Sequence, residues 1–276
     1  MRSSVQNATL ALLLEVAGTP KPGNVDRAHD FPDLHFDHFL AGAVGAQPGL
    51  EAAADGAAVG EAFETAVAGM ADQRGGNTQF GALLLLVPLV AATREDLSPE
   101  SARAVVEDTT VADAAAFYRA FEHVDVFVDD PPADAEALDV RRGADAIPAL
   151  EERGLTLSDV MALSADADGV AREWTTGFER VFWAGERVLE LDGPVSERGA
   201  RVFLELLADA PDTLVAKQHG QAAAEAVSER AAAVLDGSAD PESFADDLVA
   251  SGRNPGTTAD LVAAGLFVAL ERGVTV

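Results

Sequence analysis

The sequence predicts an all-α protein, a single compact multi-helix domain covering residues 1–276. Alanine-rich stretches with apolar residues at helical spacing recur from end to end, alternating β-branched runs bounded by turn dipeptides are scarce, and helix start signals recur. In the first half the helical pattern covers 5–16, 36–45, 50–70, 78–92, 99–106 and 109–121. In the second half it covers 144–153, 156–164, 169–191, 196–207, 218–235, 241–251 and 257–271. Ser98-Pro99-Glu100 places an N-cap before a proline at the first helical position, and Asp240-Pro241-Glu242 repeats the arrangement. The segment 109–121 is carried by alanines at 112, 114, 115 and 116. Only 123–128 alternates like a strand, with Val124, Val126 and Val128 separated by Asp125 and Phe127, and one strand makes no sheet. Asp129-Asp130-Pro131-Pro132-Ala133-Asp134 reads as the main flexible connection, because paired prolines and acids continue neither regular structure.

Composition removes several classes of function. The chain carries 47 acidic and 19 basic residues, a formal net charge of −28, so it would repel a phosphate backbone over most of its area. Neither a nucleic acid nor an anionic membrane surface is an expected partner. Hydrophobic residues make up 48% of the chain, enough for a core and unlike a disordered acidic tail. With no cysteine there is no disulfide and no thiolate metal site. The longest apolar run, 81–92 with Pro88 inside it, falls short of the roughly 20 residues a membrane span requires. The apolar stretch 8–14 runs directly into Glu15 without a small-residue cleavage pattern, which predicts no removable leader. Strong negative charge maintained by self-repulsion is a halophilic device, so a cytoplasmic protein of a salt-rich cell is expected.

Three polar segments resist explanation by helix packing. The first is Pro20-Lys21-Pro22-Gly23-Asn24-Val25-Asp26, which holds one of only two lysines. A lysine kept between two prolines suits phosphate oxygens with little side-chain freedom left to lose, although a solvated Pro-Gly turn is the plainer reading. His29, Asp30, Asp33, His35, Asp37 and His38 follow directly. Asp26, Asp30 and Asp33 are candidate ligands for a hard cation such as Mg²⁺, which takes oxygen donors and retains substrate phosphates. The spacing of His35 and His38 does not match the HExxH pattern of zinc enzymes, and a solvated acidic face accounts for the run equally well.

The second segment, Arg74-Gly75-Gly76-Asn77-Thr78-Gln79-Phe80-Gly81, leads into an apolar helix. Such a helix start presents unpaired N–H groups to an anion, with Asn77 and Thr78 as binding candidates or as simple caps. It is neither a Walker A loop nor GxGxxG. The third, Arg253-Asn254-Pro255-Gly256-Thr257-Thr258-Ala259-Asp260, repeats that layout, with Asn254, Gly256 and Thr257 as binding candidates and Asp260 as a cap or a further metal ligand. Between them, Pro211 to Gly220 carries the other lysine, Lys217, in a segment read as a turn. Two lysines set in glycine-bearing turns of so acidic a protein point to a polyanionic small molecule.

In this order, PKPGNVD (20–26), GNT (76–78), DT with a downstream lysine and glycine (212–220) and NPGTTADL (254–261) resemble the triphosphoribosyl-dephospho-coenzyme A synthase family over nearly the whole chain. The resemblance implies an all-α transferase. It would cleave the N-glycosidic bond of ATP, move the triphosphoribosyl group to the 2′-hydroxyl of 3′-dephospho-coenzyme A and release adenine, making the precursor of a lyase prosthetic group. Where members from citrate-lyase operons carry Gly-Ala-His-x-Asp-Met-Asp, this chain has Asp30-Phe31-Pro32-Asp33-Leu34-His35-Phe36-Asp37, closer to the archaeal branch. An acceptor related to dephospho-coenzyme A stays open.

Breaking a nucleoside C1′–N bond builds positive charge at C1′ and calls for a nearby carboxylate and a base for the incoming hydroxyl. Lys21, Lys217 and the backbone N–H groups near Asn77 are expected to hold the triphosphate with Mg²⁺, with Gly23, Asn24 and Thr78 as further substrate-binding candidates and Arg172 adding a guanidinium. Asp37, Glu173 and Asp212 are the candidate bases. A magnesium-dependent nucleotide or N-glycoside hydrolase and a non-catalytic ATP-binding protein are the rival readings. Oligomeric state is not legible.

Overall fold

The computed structural model describes residues 2–131 and 135–276. The elements are α1 (Ser4–Ala17), α2 (Phe36–Gly45), α3 (Gln47–Asp55), α4 (Val59–Met70), α5 (Phe80–Ala92), α6 (Pro99–Glu107), α7 (Val111–Ala120), α8 (Ile147–Arg153), α9 (Leu157–Ser164), α10 (Gly169–Thr176), α11 (Glu179–Glu190), α12 (Val195–Asp209), α13 (Thr213–His219), α14 (Gln221–Leu235), α15 (Pro241–Ala250) and α16 (Gly256–Glu271). Two short 3-10 segments, Glu136–Leu138 and Val140–Ala146, precede α8. No strand occurs among the described residues, where pairing is limited to an isolated bridge between Phe31 and Leu34. The class is all-α, as the helical periodicity predicts.

Two helices form the centre. In α5 the run from Ala82 to Val90 is buried throughout, and α16 is buried from Leu261 to Leu270. A helix that is apolar on all sides has nowhere to go but the interior. α16 packs against α11, α1, α5 and α12, while α5 packs against α3, α4 and α6. Phe63 of α4, Phe80 of α5, Phe117 of α7 and Phe121 after it interlock, with Phe63–Phe80 centroids 5.1 Å apart and Phe80–Phe121 centroids 4.9 Å apart, both edge-on. Such edge-to-face contacts orient the rings as well as bury them. One continuous hydrophobic core therefore runs from Val5 to Val274.

The structure corrects the element pattern at four places. The long helix expected over 50–70 is two, because Gly56 adopts a left-handed φ of 92° that ends α3. The helix expected over 169–191 breaks at Gly177 and Phe178, with φ of 74° and 62°. There the Glu173 carboxylate turns to accept the Val181 N–H at 3.0 Å, capping α11. Residues read as a turn form α13, because the buried Asp212 accepts the N–H groups of Leu214 and Val215 at 2.9 and 3.1 Å and starts a helix. The alternating 123–128 segment pairs with no strand among the described residues. Of the connection expected over 129–134, residues 132–134 lie outside the described residues.

Candidate functional site

Five segments far apart in the chain meet where α5, α10, α13 and α16 begin. The Pro-Lys-Pro-Gly turn docks on the segment before α16. Gly23 has φ +76°, and a Cβ there would fall 2.3 Å from the carbonyl oxygen of Arg253, so only glycine allows the approach. Asn24 donates its Nδ2 to Pro255 O at 3.3 Å. Lys21, only 2% exposed, donates its ammonium to the buried carboxylate of Glu15 on α1.

Asp212 ties α13 to α16: its Oδ2 accepts the N–H and the hydroxyl of Thr258, both at 2.7 Å. The Thr213 and Thr257 hydroxyls are 3.0 Å apart, and Thr213 Oγ1 accepts the N–H of Gly169 at 3.0 Å, joining the start of α10. Asp168 caps α10 by accepting the N–H groups of Val170 and Ala171 and receives the Lys217 ammonium on its other oxygen at 2.5 Å. Finally Asp260 lies against the start of α5, where a Cβ on Gly81 would sit 2.1 Å from its Oδ2. Gly256 and Gly169 are tight for the same reason, facing Leu214 and Thr257 respectively.

The electrostatics of this junction are strongly negative around one carboxylate. Burial first, then the negative fields of Glu15, Asp212 and Asp168, hold the Asp260 carboxyl well above the usual carboxylate range. Burial also raises Glu15 and Asp212, against the hydrogen bonds each receives. The starts of α5, α10, α13 and α16 bring partial positive charge to the same neighbourhood. Positive charge is thus welcomed beside Asp260, and an anion at the helix starts.

Other predicted residues lie apart from this junction or are already engaged. Asp26 accepts five hydrogen bonds, from the Thr19 hydroxyl, the N–H groups of Lys21, Ala28 and His29, and the His29 ring. Burial pushes its carboxyl up, but those bonds outweigh it and hold the group low. It is a loop clamp with both oxygens in use. Asp30 caps Phe36 N at 2.7 Å, and Asp33 and Asp37 are exposed around the start of α2. Arg172 donates to the carbonyls of Ala165 and Asp166, stapling the turn between α9 and α10. Glu173 is buried, its carboxyl pushed up to about 7 chiefly by that burial, but it serves α11. Asn77 accepts Phe80 N at 3.1 Å as a helix cap, and Thr78 follows it into the seam between α5 and Gly42 of α2.

The residues the sequence did not single out are Glu15, Asp168, Thr213, Thr258, Gln79 and Gly81. Glu15 had a signal: a lone acid in an apolar helix six residues before a scarce lysine. Asp168 had one too, since Asp-Gly before a helix reads as an N-cap. Among the described residues no group of three acidic or histidine side chains is arranged to hold a metal ion. Of the four predicted ligands, Asp26 has both oxygens in use, Asp30 and Asp33 stand at the surface, and Asp260 lies at the junction against the start of α5.

No curated protein matches the sequence significantly. Among solved structures, the fold is similar to that of a candidate triphosphoribosyl-dephospho-CoA synthase from Archaeoglobus fulgidus, with TM-score 0.71 and 27% identity over 86% of this chain and 99% of that one. The family model described as CitG, ATP:dephospho-CoA triphosphoribosyl transferase, matches residues 1–275, so this chain belongs to that family of transferases.

Proposed function

We propose that the junction of the four helix starts is where this transferase binds ATP and exchanges its adenine for an acceptor hydroxyl. The observation that carries the reading is the convergence itself: Gly23 on Arg253, Thr213 on Thr257, Asp212 on Thr258 and Gly81 on Asp260 bring four polar turns to one place. Helix N-termini and Lys217, which is 14% exposed, are suited to the triphosphate. Lys21 lies below as the counter-charge of Glu15. Magnesium enters as part of the substrate, Mg·ATP, since the cation retains phosphate oxygens and water and needs at most one or two carboxylates.

In the transfer the C1′–N9 bond breaks and its electron pair leaves with adenine. The bond from the acceptor oxygen to C1′ forms, and the hydroxyl proton passes through a base to the released purine. Positive charge at C1′ develops beside the field of Asp260, Glu15, Asp212 and Asp168. Asp260 takes the hydroxyl proton. It lies against the start of α5 with no side-chain partner among the described residues, whereas Asp212 is committed to four donors and holds the frame. The acceptor is the 2′-hydroxyl of 3′-dephospho-CoA or a close relative.

The test is to incubate the protein in high salt with Mg·ATP and 3′-dephospho-CoA and to measure adenine and the acceptor's mass. Equal amounts of adenine and a triphosphoribosyl-bearing acceptor are expected. Adenine formed at the same rate without acceptor would instead identify a hydrolase, and stoichiometric ATP binding without adenine a non-catalytic binder.

A further inference from the structure

Burial of an unpaired polar atom is unfavourable, and natural structures keep few of them. Among the described residues, the buried side-chain nitrogen and oxygen atoms without a hydrogen-bond partner are Thr78 Oγ1, Gln79 Nε2, Gln79 Oε1, Ser228 Oγ and Asn254 Oδ1. All but Ser228 lie in the polar turns that open α5 and α16, at the junction described above. Gln79 is 3% exposed, and its amide is unmatched at both ends. Its neighbour across the seam is Gly42, where a Cβ would come within 2.5 Å of Thr78 Oγ1 and 3.4 Å of Gln79 Oε1. The only buried residues of α2 are Gly42 and Ala43, so little apolar packing holds that cover over the pair.

An amide with a free donor beside a free acceptor is complemented by a ligand edge that offers the same two functions side by side. A triphosphate offers acceptors alone and would leave Oε1 unpaired. The 6-amino group and N7 of adenine offer a donor and an acceptor at the spacing an amide pairs with bidentately. We propose that Gln79 reads the purine of the nucleotide, Oε1 accepting from the 6-amino group and Nε2 donating to N7. This rests on the reading of the junction as an ATP site. Its chemical consequence is that the electron pair of the breaking C1′–N9 bond flows into a ring already hydrogen-bonded at N7. A 6-oxo purine presents two acceptors on that edge and leaves Oε1 facing O6.

Calorimetric binding of ATP, ITP and 7-deaza-ATP to the wild-type chain tests this without relying on any variant, and adenine or hypoxanthine release is followed separately. ATP is expected to bind about 10- to 100-fold more tightly than either analogue, as one bidentate pair discriminates. Q79M, which keeps the volume, is expected to lose that preference while melting no lower than wild type, because the free protein loses no hydrogen bond. Equal binding of the three nucleotides, or unchanged discrimination in Q79M, overturns the assignment while leaving the ATP site intact. Failure to bind any nucleotide overturns the site reading and this one together.

Discussion

The carboxylate of Asp212 takes the N–H and the hydroxyl of Thr258 on one oxygen, each at 2.7 Å, and caps its own helix with the other. Two helix starts separated by 46 residues share one charged group. In Asp212→Asn, one end of the amide becomes a donor facing donors. A loss of about 2–3 kcal/mol is expected, the range for a buried charge-assisted hydrogen bond and an unsatisfied partner. Urea denaturation measures it, and Asp212→Glu is expected to recover none of it because the buried site has no room for the longer chain.

Lys217 separates binding from stability. The ammonium sits on Asp168 at 2.5 Å, both side chains reach solvent, and partly exposed pairs contribute roughly 0–1 kcal/mol to folding. Lys217→Met is therefore expected to leave the melting temperature nearly unchanged while raising KM for ATP about 10-fold or more, with a smaller change in kcat. Lys217→Arg restores the ion pair but not the fit to a phosphate. A KM equal to wild type in Lys217→Met removes Lys217 from the binding set.

Glu173 predicts a pH dependence of stability. Burial holds its carboxyl at about 7, against the ordinary 4.5 it regains on unfolding. The folded protein then binds the proton more firmly than the unfolded chain, so this group's contribution to stability falls as pH rises from 4.5 to 7 and levels off above. The total is on the order of 3 kcal/mol. Glu173→Gln keeps an acceptor for Val181 and removes the titration. Its stability should match wild type near pH 4.5, exceed it increasingly up to about pH 7 and keep that margin above. Parallel curves would sink the assignment.

Salt acts on the whole surface. At −28 the folded chain repels itself, and raising ionic strength from 0.1 to 1 M shortens the screening length from about 10 to 3 Å. The melting temperature is expected to rise over that interval, with sodium chloride and potassium chloride acting alike. A protein indifferent to salt would contradict the halophilic reading of its composition.

How far the sequence reached depends on the kind of interaction involved. The interior helices α5 and α16 were legible because burial on every side leaves an unbroken apolar run. The break at Gly177 and Phe178 was not, because Phe178 holds a left-handed conformation that its identity disfavours and its buried surroundings impose. At the site, the turns themselves were legible from glycine, proline and the scarce lysines. The partners of those lysines were only half legible: an acid in an apolar helix marks Glu15 and an Asp-Gly helix start marks Asp168, but only folding shows which lysine each one meets. The histidine and aspartate run at 29–38 misled, since local density of carboxylates reflects this protein's overall charge as much as any site.

The seating of Gly23 against Arg253 has a consequence for biosynthesis. The ribosome delivers α1 and its following turn long before α16, the helix that both depend on, has been translated. Until then α1 can pack on α2, α3, α5 and α12 but lacks α16, and Asn24 lacks the Pro255 carbonyl to which it donates, whereas Lys21 already has Glu15 beside it. A nascent chain halted before residue 253 would carry most of the helices and no working centre, so activity in a translation reaction should appear only with full-length product.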